Sequence, residues 1–116
     1  MKEQIGKVTI APDVLLTIVR LTVLDVPGVA HLSTRWPGGA GRILTPTRLT
    51  EGIRIEVTDS TVAVEVHVAV HPHDNLLALA RTIQQEVARA IHDMVGMTVG
   101  AVNVHIEDII FPAVGD

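Results

Sequence analysis

Histidine and carboxylate side chains are the residues of this chain best suited to chemistry. His67, His71 and His105 fall on the outer faces of predicted strands, with Glu65 and Glu107 nearby. Imidazole and carboxylate ligands with one open position can hold Zn²⁺ or Ni²⁺. Three ligands would have to converge from different strands, however, and their spacing matches neither HExxH nor a zinc finger. We therefore expect solvated strand histidines, with no metal or other cofactor.

Nucleophilic catalysis has no support in the sequence. Ser33 and Ser60 are the only serines, and neither lies in a GxSxG motif. No serine or threonine can be tied to a base by spacing. Most carboxylates fall at predicted caps, turns or solvated faces. We predict no catalytic residues and no enzymatic activity.

A glycine-rich stretch at 36–42 (WPGGAGR) invites comparison with phosphate-binding loops. It lacks GxxxxGK[ST] and GxGxxG, and no strand precedes it and no helix follows it in the predicted order. A surface loop is the better interpretation. Trp36, with Arg35 and Arg42 beside it, offers residue types that are enriched at protein interfaces. We predict an interaction surface that combines this loop with the outer face of the sheet: Trp36, Arg35, Arg42, His67, His105 and Glu107.

Composition limits the other function classes. At 116 residues, of which 47% are apolar and 2% aromatic, residues 1–116 form one domain with an aliphatic core. The absence of cysteine excludes disulfides, and a net charge of -4 argues against nucleic acid as a partner. No apolar run reaches the roughly 20 residues of a membrane span, and no signal peptide is visible. We expect a cytoplasmic protein.

The clearest elements lie in the second half of the chain. Apolar residues recur every three or four positions after Asn75, which can cap a helix, and Gly96 can end it. A strand with one apolar face follows at 102–107. Residues 53–58 and 61–70 alternate on both sides of Asp59-Ser60, which predicts a hairpin that places Arg54 opposite Glu65.

The first half is less regular. Residues 7–10 (KVTI) alternate and suit a first strand, whereas Pro12-Asp13 begins a predicted helix over 14–24. That helix is apolar around most of its surface, so another subunit is expected to cover part of it. An irregular loop containing Gly and Pro is predicted over 30–51.

These elements predict an α+β fold. Their order is strand, helix, strand, strand, helix, strand, joined as a two-layer sandwich with both helices on one face of a four-stranded sheet. Ferredoxin-like connectivity is the simplest arrangement. The other face of the sheet would be polar, and either solvated or an interface.

Several segments resemble the alkaline shock protein 23 family of bacterial envelope stress proteins, over most of the chain from Gly6 to about Ile110. The most specific segments are 26–29 (VPGV), Ile83-Gln84 with Val87, the stop at Gly96, and 102–104 (VNV). The resemblance implies a non-enzymatic cytoplasmic stress response protein that self-associates as a scaffold or adaptor. It also implies a membrane-anchored partner protein, and it brings no site residues with it. The alternative, by fold analogy, is a regulatory domain that binds a small ligand.

Overall fold

A computed structural model describes residues 5–33, 47–50 and 52–112. The elements are helix α1 (Pro12–Asp25), strands β1 (Val29–Leu32), β2 (Thr47–Thr50), β3 (Ile53–Thr58) and β4 (Thr61–Val70), helix α2 (Leu76–Val95) and strand β5 (Thr98–Ile109). Both helices pack against one face of a single sheet and share its aliphatic core. The predicted α+β two-layer sandwich is confirmed.

Helix α2 begins and ends at the residues that the sequence indicates. The Asn75 side chain accepts the N–H of Ala78 at 3.0 Å, which satisfies one of the open amides of the first turn. Gly96 ends the helix with φ 81°, in the left-handed region. A stripe spaced by four residues packs on the sheet: Leu79, Ile83, Val87 and Ile91.

Helix α1 also forms where it was predicted. Pro12 occupies the first turn, where its missing N–H costs nothing, and Asp13 lies near the positive end of the helix dipole. One stripe is buried: Leu15, Val19 and Val23. Leu21, on another side, is 59% exposed, so much of the apolar surface of α1 stays uncovered in a single copy.

The hairpin of β3 and β4 has the predicted register. Thr58 pairs with Thr61 across the turn, and Arg54 lies opposite Glu65. Arg54 Nη2 lies 3.3 Å from Glu65 Oε1, which confirms the predicted ion pair on the outer face. Asp59 has φ 56°, a conformation that Asp tolerates better than most residues.

Strands β4 and β5 are parallel neighbours, joined through α2. Their register runs from Thr61 opposite Thr98 to Val70 opposite Ile109, with two irregular steps. His67 is thereby placed directly beside His105. β4 is the centre of the sheet because β5 lies on one of its sides while β3 and then β1 follow along the other.

The strand predicted at 7–10 is wrong. Residues 5–11 form neither helix nor strand. In a ferredoxin-like sheet a first strand lies between the two strands that flank the second helix, but here β4 and β5 pair directly and leave no such position. From α1 to β5 the predicted order agrees with the structure, apart from β1 and β2, which were not predicted.

The irregular loop predicted over 30–51 is only partly correct. Residues 30–32 belong to β1 and 47–50 form β2, while 34–46 and 51 lie outside the described residues. The register of β1 shifts between Val29 and His31, so its two buried residues, Val29 and Leu32, are three positions apart. An irregularity of this kind removes the two-residue period by which a strand is recognised.

Candidate functional site on the outer face of the sheet

The outer face of the sheet carries a compact group of polar side chains. Glu65 and His67 lie two residues apart on β4, so both point away from the helices. His105 and Glu107 have the same relation on β5. Parallel pairing of His67 with His105 brings the two pairs together. We call these four residues the outer-face cluster.

His67 is the buried centre of the cluster. Only 4% of it is exposed, which corrects the expectation of a solvated strand histidine. Its ring stacks on that of His105, with centroids 4.4 Å apart and planes 13° from parallel. Its Nδ1 lies 2.5 Å from Glu107 Oε2. The sequence pattern could assign His67 to a face but could not show that neighbouring side chains would cover it.

The backbone around His67 explains this burial. Its N–H donates to the Gly52 carbonyl and its own carbonyl accepts the N–H of Ser33, both at 2.8 Å. Strands β3 and β1 pair with successive parts of the same side of β4, and His67 lies at the junction between those two parts. Gly52 has φ +73°, and a Cβ there would lie 2.6 Å from Ser33 O and 2.8 Å from His67 O. Only glycine fits this junction without displacing backbone.

Carboxylates link the rest of the cluster. Ser33 Oγ donates to Glu107 Oε1 at 3.2 Å, so Glu107 joins a hydroxyl to an imidazole. A Ser-His-Asp triad needs the imidazole next to the hydroxyl, and here the carboxylate lies next to it instead. On the other side, Glu65 lies 3.9 Å from His67 Nε2 and 4.0 Å from His105 Nε2.

The arrangement brings three metal-type donors together. One donor atom each from Glu65, His67 and His105 lies within 4.8 Å of the other two, the one such group of His, Cys, Asp and Glu found in the part of the chain that the structure describes. The convergence from two strands, which spacing alone could not show, is therefore present.

The remaining candidates lie elsewhere. Arg35, Trp36 and Arg42 of the predicted interaction surface lie outside the described residues. His73 Nδ1 accepts the N–H of Asn75 at 3.1 Å, so it belongs to the start of α2 and not to the cluster. Ser33 is a partner of Glu107, a role that no signal in the sequence predicts.

A second surface feature is an open groove between the helices. It has a volume of about 800 Å³ and is lined by residues such as Leu21, Asp25, Glu86, Arg89 and Met94. Met94 is 70% exposed, although the apolar spacing of the sequence predicts that it lies on the buried face of α2. The mixed charges and open shape of the groove indicate no particular ligand.

Comparison with known proteins identifies the family. The model of the alkaline shock protein 23 family, described as having a cell envelope-related function, matches residues 1–111. The chain belongs to the alkaline shock protein 23 family. The resemblance found in the sequence is thus confirmed. YqhY of Bacillus subtilis (strain 168) is 23% identical over 107 residues, covering 92% of this chain and 79% of YqhY.

A second relative and a solved structure are also similar to this chain. Spy1535 of Streptococcus pyogenes serotype M6 is 27% identical over 109 residues, covering 93% of this chain and 82% of Spy1535. Among solved structures, the MamM CTD superposes with a TM-score of 0.52 at 14% identity, covering 84% of this chain and 99% of the MamM chain. At that identity the likeness shows the fold alone. Neither described helix is long and apolar enough to cross a membrane.

Proposed function

We propose that this member of the alkaline shock protein 23 family is a non-enzymatic adaptor of the envelope stress response, which self-associates and works in the cytoplasm beside the membrane by binding a membrane-anchored protein. The family description, a cell envelope-related function, supports the setting. One observation carries the self-association: the alternating segment at 7–10 and the neighbouring Ile5 are exposed, and the last strand of the sheet, β5, pairs on one side among the described residues.

The segment before α1 has the composition of a strand but lacks a partner strand among the described residues. Ile5 is 95% exposed, Val8 89% and Ile10 40%. Val8 and Ile10 alternate with Lys7 and Thr9, so a strand here would have one apolar face and one polar face. Exposed apolar side chains grouped in this way favour burial against another surface.

Strand β5 offers a matching acceptor. It runs for 12 residues and pairs with β4 on one side in the described structure. Val104 and Ile106 are only half-buried on its apolar face, and an added strand would cover them. Addition of an extended segment to the edge of a sheet gains main-chain hydrogen bonds and apolar burial together.

The acceptor is the β5 of a second copy. Helix α1 packs on β1, β2, β3 and α2, whereas α2 covers β5. A segment that enters α1 at Pro12 therefore starts on the side of the sheet away from its own β5. Six extended residues span only about 20 Å, so the segment cannot both cross the sheet and pair along its own β5. Addition to the next copy repeats indefinitely unless two copies exchange segments, so either a chain of copies or a dimer results.

Light scattering against concentration tests this function. The wild type should increase in mass with concentration, whereas Val8→Asp should remain monomeric, because a carboxylate buried in an apolar pairing is strongly unfavourable. Thr9→Asp is the matched control, since it adds the same charge on the polar face of the segment. A wild type that stays monomeric at all concentrations would overturn the scaffold, and equal association of both variants would place the interface elsewhere.

The membrane-anchored partner has its own test. Fractionation of host cells after alkaline stress should place the protein with the membrane fraction, and detergent that dissolves the membrane should release it together with one integral membrane protein. A cytosolic distribution that is unchanged by alkaline stress would refute membrane-proximal action.

A regulatory ligand-binding domain is the second candidate. The outer-face cluster favours it, and one MamM CTD structure of similar fold is described as a manganese form. A dimer of fixed size that persists in the Val8→Asp chain and melts at a higher temperature with ligand would support this candidate over the scaffold.

A further inference from the structure

We propose that Glu65, His67 and His105 bind one divalent transition-metal ion, with Zn²⁺ as the ion of best fit. The site goes beyond the adaptor function and does not require self-association, because one copy supplies all three ligands. Glu107 holds His67 in place without itself binding the metal.

The three donor atoms already lie nearly as close to one another as the ligand atoms of one bound ion. Glu65 carboxylate oxygens are 3.9 Å from His67 Nε2 and 4.0 Å from His105 Nε2, and all three donors lie within 4.8 Å of one another. A tetrahedral Zn²⁺ with bonds of about 2.0–2.1 Å places its ligand atoms roughly 3.4 Å apart. The His105 ring is stacked 13° from parallel on the His67 ring, so it must tilt out of the stack before both Nε2 lone pairs can point at one ion. The side chains of Glu65 and His105 are 27% and 45% exposed, which leaves room for this rotation.

His67 is the fixed ligand. Glu107 Oε2 binds its Nδ1, which leaves Nε2 as the nitrogen that faces Glu65. Ser33 holds the other oxygen of Glu107 at 3.2 Å. A carboxylate on the far nitrogen of a metal-binding histidine sets its tautomer and its orientation and makes it a stronger ligand.

Local charge favours a cation. Glu65 and Glu107 carry two negative charges, and among the described residues Arg54 is the one cation within ion-pair distance of Glu65 other than the imidazoles. Arg54 is 47% exposed, and an exposed ion pair contributes little to stability, so a metal ion can displace it from Glu65. Removing the arginine should therefore tighten metal binding.

The donor set selects the class of metal. Two imidazoles and one carboxylate suit Zn²⁺, Co²⁺ or Ni²⁺ far better than Mg²⁺ or Ca²⁺, which prefer all-oxygen ligands. Three protein ligands leave a fourth position of the tetrahedron for water or for a donor from another molecule.

Metal titration of the purified chain tests the proposal. Zn²⁺ titrated by calorimetry in excess Mg²⁺ should bind at one ion per chain, and Co²⁺ should give the visible spectrum of a tetrahedral site. His105→Ala should weaken Zn²⁺ binding by at least about 100-fold, more than the 10- to 100-fold typical of losing an outer partner. Glu107→Gln should weaken it by about 10- to 100-fold with the stoichiometry unchanged. Arg54→Gln should strengthen it.

Matched controls keep the result decisive. His92→Ala removes an exposed histidine that also has an acidic neighbour, Asp93, and should bind Zn²⁺ as the wild type does. Glu65→Gln provides a second ligand variant if His105→Ala folds poorly. Wild-type affinity in both ligand variants would overturn the proposal, as would loss of binding on replacing His71 and His73 instead.

The metal site and the scaffold can fail separately. The Val8→Asp chain should remain monomeric and still bind one Zn²⁺. Loss of metal binding in that monomer would show that the ion needs a ligand from a second copy, which contradicts a site within one chain.

Discussion

Replacing Glu107 with alanine should destabilise the protein well beyond the loss of an ordinary surface carboxylate. The change removes the 2.5 Å contact with Nδ1 of His67, a residue that is only 4% exposed, and also the bond from Ser33. Hydrogen bonds to charged groups contribute about 1.5–3 kcal/mol each. For a chain of this size 1 kcal/mol corresponds to about 4 °C in melting temperature, so loss of the His67 contact alone should lower the melting temperature by roughly 6–12 °C, and loss of the Ser33 bond should add to this decrease.

Two further variants serve as controls for Glu107→Ala. Glu86→Ala removes an exposed carboxylate that pairs with Arg89, and it should cost less than about 0.5 kcal/mol. Glu107→Gln keeps an acceptor oxygen and should recover part of the loss. Thermal and denaturant unfolding, followed by circular dichroism without added metal, measure all three. If Glu107→Ala melts within about 2 °C of Glu86→Ala, then Glu107 does not hold His67 in place.

Two predictions test the scaffold that carries the cluster. Gly52→Ala should destabilise by at least about 1–3 kcal/mol, because a side chain at φ +73° would meet the carbonyls of Ser33 and His67; unchanged denaturant midpoints would refute the proposed junction. Ile83→Ala should cost about 2–5 kcal/mol, since Ile83 is fully buried, whereas Gln85→Ala on the exposed side of α2 should cost little. Similar losses from these two changes would mean that the packing of α2 is wrong.

The parts of the fold that were predicted correctly have regular local patterns. The β3–β4 hairpin follows from strict alternation around a two-residue turn, which fixes the register as well as the faces. Helix α2 follows from its apolar stripe between Asn75 and Gly96. In both elements the local pattern and the tertiary packing favour the same structure.

The incorrect parts depend on contacts between distant segments. Residues 7–10 alternate like a strand, but pairing needs an open edge, and the direct contact of β4 with β5 closes the position expected within the same chain. Conversely, β1 is a strand whose register shift conceals its alternation. Neither the closed pairing position nor the register shift of β1 can be recognised from the local sequence.

The sequence also predicts on which face of the sheet three residues of the outer-face cluster lie. Alternation placed His67, His105 and Glu107 on one face correctly. It could not show that parallel pairing puts His67 beside His105, since the register across a long helical crossover is not encoded locally. Nor could it show that Ser33, 74 residues from Glu107 along the chain, would bind that carboxylate.

Hydrogen exchange measured at several protein concentrations tests the central claim, strand addition between copies, most directly. Backbone amides that join a sheet become protected, whereas exposed segments exchange at nearly the unfolded rate. We expect the amides of residues 7–10 and those on the outer side of β5 to gain protection together as concentration rises, and Val8→Asp to abolish both changes. Rapid exchange at 7–10 in samples where light scattering shows assemblies would contradict strand addition.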